Sequence, residues 1–152
     1  MRTRVSVYAL ATHPGQEHVL SAHKGDLYGW IEVGMVAEGE DRFDVAIPLD
    51  LGRTVHGRVV HAETGEPVGP TTVVWAASGI GLLKHVPVTE DGTFVATGVP
   101  HDWPSASGFF SPDVPADHIM FFVYDHELKA DASKAGLPPG ADTIEVPFRP
   151  RE

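Results

Sequence analysis

Apolar residues in this chain recur at every second position, and that period decides what it can fold into. In "RVSVYALA", Val5, Val7 and Ala9 fall on one face and Arg4, Ser6 and Tyr8 on the other. "LYGWIEVGMVA" sets Leu27, Ile31, Val33 and Met35 against Tyr28, Trp30, Glu32 and Val36. "RFDVAIPL" sets Phe43, Val45, Ile47 and Leu49 against Asp44, Ala46 and Pro48. A period of two is the signature of a half-buried strand. Pro48 has no N–H for a ladder, so it belongs at an edge or a strand end.

The pattern continues through "TVHGRVVH", "LLKHVPV", "TFVAT", "HIMFFVYD" and "DTIEVPF". "TTVVWAAS" is apolar on both faces, which predicts a central strand. Only "DHELKADASKAG" has a helical composition, with Gly136 as its end; its apolar face is thin, so a turn or a single helical turn is expected. Many short strands between Gly/Pro turns predict an all-β protein, a single β-sandwich of about seven to nine strands.

Composition narrows the remaining classes. With 42% hydrophobic and 21% charged residues the chain is globular rather than disordered, and 152 residues suit one domain. The expected division is an N-terminal β extension over 1–50 and the sandwich over 51–152, sharing one core because a lone hairpin is marginal in water. No cysteine is present, which removes disulfides, thiolate catalysis and Cys-based metal sites. No apolar run approaches the ~20 residues of a membrane helix, and "VSVYALA" is too short for a signal-peptide core, so a soluble, cytoplasmic protein is expected. A net charge of −10 opposes binding to nucleic acid or an anionic membrane. A protein partner or a neutral or hydrophobic small molecule is the easier ligand.

The middle of the chain carries a recognisable pattern. "HGRVVHAETGEPVGPTTVVW" followed by "VTEDGTFVATGVP" resembles the carboxypeptidase regulatory-like domain, a transthyretin-like (prealbumin-like) β-sandwich, over about residues 54–100. Gly57 and Val59 match its Gly-x-Val strand, and Gly65 and Pro67 its Gly-x-Pro turn. Thr89, Asp91, Gly92 and Phe94 match its Thr-x-Asp-Gly-x-Phe hairpin, and Gly98, Val99 and Pro100 its Gly-Leu/Val-Pro segment. The resemblance implies Val59 and Phe94 in the core and tight reversals at Gly65 and Gly92. Its members look mostly like non-catalytic accessory modules that contact partners. The chain departs from the pattern at Gly69-Pro70, in its first fifty residues, and in the long stretch after Pro100.

That stretch, "GVPHDWPSASGFFSPDVPADH" over 98–118, is the first place to look for function. Loops of this length in compact domains are uncommon and often functional. Trp103, Phe109 and Phe110 give it something to bury, either as a flap over core side chains or as a lid on a pocket. In the second case Trp103, Phe109, Phe110 and Phe122 would line an apolar pocket at one end of the sandwich, with His101, Asp102, His118 and Tyr124 as its acid–base or orienting groups. His101 and Asp102 are neighbours in sequence and point opposite ways on an extended chain, so they form no ready-made dyad. Trp30, beside Tyr28 and Glu32, is a further ligand-contact candidate if exposed and a core residue if covered.

No histidine pair has the spacing that favours a metal site, so no metal and no cofactor is expected. No nucleophile motif is present: "SASG" is not a Gly-x-Ser-x-Gly elbow. The leading functional expectation is therefore a non-catalytic binding or protein-interaction β-sandwich module, with homodimerisation through exposed strand edges as one form of it. The alternative is a small enzyme or small-molecule binder that uses the pocket under the 98–118 loop.

Overall fold

The computed structural model describes residues 17–35, 46–77, 82–101, 118–124 and 133–150. Every element in them is a strand. Three sheets pack together, and no helix among the described residues is long and apolar enough to cross a membrane.

The first sheet is the extension. β1 (Glu17–Lys24) and β2 (Leu27–Met35) form an antiparallel hairpin, and β3 (Asp50–Leu51) adds to β2. The remaining strands form a sandwich of three and four. β4 (Arg53–His61) lies between β7 (Thr93–Val99), antiparallel to it, and β10 (Thr143–Phe148), parallel to it. The facing sheet runs β6 (Leu82–Val88), β5 (Thr71–Ala77), β8 (Ile119–Tyr124), β9 (Lys134–Leu137), all antiparallel. β5 is thus an interior strand, as its doubly apolar sequence requires. Val73 and Trp75 enter the core, while Val74 and Ala76 are buried on the opposite face.

Phe121 ties the two layers together. Its ring stacks on Phe94 of the three-stranded sheet at 6.0 Å and tilts against Trp75 of its own sheet at 6.5 Å. Val55, Val59 and Val146 fill the space around them. Each such side chain, fully buried, contributes roughly 1.5–3 kcal/mol. Val59 and Phe94 are buried as the alternation and the resemblance imply, and the turn glycines Gly65 and Gly92 have φ of 72° and 82°.

Two expectations are corrected. "RFDVAIPL" does not supply a strand in its described part: residues 46–49 are irregular, and pairing resumes only at Asp50. Pro48 cannot donate, and its carbonyl lies against Gly29, where a Cβ would come within 2.0 Å of it. Gly136 caps no helix. It sits in β9 opposite Met120, and Leu137 drives that strand into the core; residues 125–132 lie outside the described set. In β2 the face carrying Tyr28 and Trp30 turns towards the sandwich, so of the two readings open for Trp30 the covered one applies: Tyr28 is part of the core, and half-buried Trp30 packs against it.

Candidate functional site

β4 starts, β7 ends, β8 starts, β9 ends and β10 starts at one end of the sandwich, so His101 and His118, the flanks of the long loop, both belong to it. Asp102, Trp103, Phe109 and Phe110 lie outside the described residues. The hairpin turn of the extension docks beside this end. Lys84 Nζ donates to the Gly25 carbonyl at 2.7 Å while lying 5.8 Å from the Trp75 ring centre. Thr97 Oγ1 donates to Asp26 Oδ1 at 2.8 Å, and the Gly52 amide to the Asp26 carbonyl at 2.9 Å. The His101 amide donates to the Tyr28 hydroxyl at 2.8 Å.

At its centre is Arg53. The alternation of β4 puts it on the same face as Val55 and Val59, so its guanidinium enters the end of the core, only 9% exposed. Nη1 donates to the Ala141 carbonyl at 2.6 Å. Nε and Nη2 are buried and have no partner among the described residues, as is also true of Trp75 Nε1. Burial lowers the Arg53 pKa from its ordinary value, against the raising influence of Tyr28 and Asp142.

A second feature lies on the outer face of the three-stranded sheet. An open trough of about 460 Å³ is lined by His56, Arg58, Thr93, Thr143 and Glu145, with the backbone around Gly57, Phe94 and Ile144 as its floor. Strand register sets the walls: Thr143 is opposite His56, and Glu145 opposite Arg58. Arg58 Nε and Nη2 both reach Glu145 Oε2, at 2.8 and 2.6 Å.

The remaining expected site residues are dispersed. His101 is exposed and His118 half-buried. Tyr124 closes β8 at the opposite end, five residues from Ile119 or roughly 17 Å along a strand; its ring meets His85 edge-on at 5.3 Å. Phe122 points away from the interior, because Ile119, Phe121 and Val123 take the inward positions of β8. Phe122 and Tyr124 therefore do not join His101 around a common interior pocket. No group of three metal-ligating side chains occurs among the described residues.

Sequence reasoning passed over Arg53, the hydrogen bond of the Tyr28 hydroxyl, and the trough. The signal for Arg53 was present: the alternation of "TVHGRVVH" carried back one residue places an arginine at an inward position. The partner of the Tyr28 hydroxyl lies 73 residues away, and the trough depends on a pairing of β4 with β10 that no local pattern announces. Comparison of the chain with models of known families, with curated proteins and with solved structures gave no match.

Proposed function

We propose that the chain is a non-catalytic binding module of the carboxypeptidase regulatory-like, transthyretin-like kind, which engages a protein partner through the outer face of its three-stranded sheet. Among the described residues, seven strands in two layers from residue 53 onward agree with this reading. So do the positive-φ turns at Gly65, Gly92 and Gly98. One observation carries it: the interior between the sheets is filled by Trp75, Phe94 and Phe121, whereas the trough over His56, Arg58, Thr143 and Glu145 is open and rests on paired strands. Its walls offer charges of both signs, hydroxyls and an imidazole, which suit the polar side chains and backbone of a peptide segment.

The test is an NMR titration of the labelled protein with short peptides of varied charge. Shifts should gather at 56–58, 93–94 and 143–145, and Arg58→Glu should weaken binding at least tenfold with the fold intact. Shifts confined to other surfaces, or chemical conversion of an added small molecule, would overturn the proposal.

A further inference from the structure

β4 carries two arginines five positions apart, on opposite faces, and their side chains are in opposite situations. Arg58 is exposed, and its Nε and Nη2 are both engaged by Glu145. Arg53 is buried, and the same two nitrogens have no partner among the described residues. Those nitrogens are not an arbitrary pair. Their N–H bonds lie in the guanidinium plane on one side and run parallel, forming the fork that receives both oxygens of a carboxylate. The third nitrogen, Nη1, is held by the Ala141 carbonyl, which fixes the direction of the fork.

A second donor is available at the same end. The Tyr28 hydroxyl is buried and accepts the His101 amide hydrogen, and no acceptor for its own proton is present among the described residues. Asp142, next to the residue that holds Nη1, is exposed in the turn before β10. A guanidinium withdrawn from water with one hydrogen bond is a costly arrangement, and the cost is relieved by an anion that matches its fork.

We propose that the Arg53 fork is a buried binding site for a carboxylate group at the end of the sandwich. The unpartnered nitrogens are sealed from solvent, so the group enters head first and its immediate substituent is small. This site is separate from the trough and does not depend on the trough's role.

The test uses the full chain at constant ionic strength, with sodium acetate replacing sodium chloride. Acetate should raise the unfolding midpoint saturably and shift the side-chain Nε–H resonance of Arg53. Arg53→Lys keeps the charge but loses the fork, and should bind at least tenfold more weakly. Arg53→Met should show no acetate response, each variant being compared with its own unfolding midpoint in chloride. A tripeptide with a free C-terminal carboxylate, compared with its amide, distinguishes a peptide end from a free acid as the source; a response to acetate or to the free-ended peptide supports the site. The proposal is overturned if wild type and Arg53→Met respond alike, if the Arg53 resonance moves with neither probe, or if phosphate or chloride alone produces the saturable effect.

Discussion

The two ends of the sandwich are built by different rules. At one, the turn from Thr89 to Gly92 is held mostly by bonds among near neighbours. Asp91 Oδ1 accepts from the Thr89 hydroxyl, from the Thr93 hydroxyl at 2.8 Å and from the Thr93 amide at 3.3 Å. The Gly92 amide donates to the Thr89 carbonyl at 3.0 Å, and its own carbonyl accepts from Val59 at 2.8 Å. The other end is assembled from residues distant in sequence: Asp26 and Tyr28, Gly52 and Arg53, Thr97 to His101, and Ala141. There donors on Arg53 and Tyr28 are left without an acceptor among the described residues. A turn that bonds largely within itself keeps its polar groups at the surface; a junction of remote segments can retain buried ones, and ligand chemistry can use them.

If that contrast is right, the junction should also be the more sensitive end. Tyr28→Ala removes the aromatic anchor of the extension and should cost about 3–5 kcal/mol in chemical denaturation, as for other buried aromatics. A loss under 1 kcal/mol would mean that the extension is not part of the core. At the local end, Gly92→Ala forces a side chain onto positive φ, with its Cβ 2.8 Å from the Val59 carbonyl. The expected cost is about 1–3 kcal/mol; no loss would show that the turn relaxes freely.

The smallest effect belongs to Asp91. Hydrogen bonds from Thr89 and then Thr93 lower its pKa below the ordinary carboxylate value. Its contribution is therefore present above an unfolded pKa of about 3.9 and is lost as pH falls through the lower folded value. The stability gap between the wild type and Asp91→Asn should be constant from pH 8 to 5 and shrink below about pH 4. A gap that persists at pH 2 would contradict the hydrogen-bonded carboxylate.

The same division separates what could be read from the sequence from what could not. "TEDGTF" contains its own turn, with donor, acceptor and glycine within five residues, and alternation alone placed Val59 and Phe94 inside and β5 in the middle of its sheet. β9 is short and poor in β-branched residues; it is a strand because β8 lies beside it and Leu137 has a core to enter. Arg53 was a polar residue at an inward position, legible in period but without meaning until Ala141 and Tyr28 are seen around it. Of the sandwich-end residues singled out by sequence, His101 and His118 do flank one end, while Phe122 and Tyr124 lie on the face of β8 opposite the inward Ile119, Phe121 and Val123. In β8 both faces are apolar, and the period cannot say which one is buried in the core.

The parallel pairing of β10 with β4 has a consequence for how the molecule is made. Arg58 and Glu145, side by side in the finished sheet, are separated by 87 residues of chain. During synthesis β4 can find β7 early, but its other flank stays open until residues 143–148 have left the ribosome. Over that interval the half-built sheet presents a free row of amides and carbonyls to any passing strand. Closing so long a loop is slow relative to hairpin formation, so chaperone demand and aggregation during expression should track the arrival of β10.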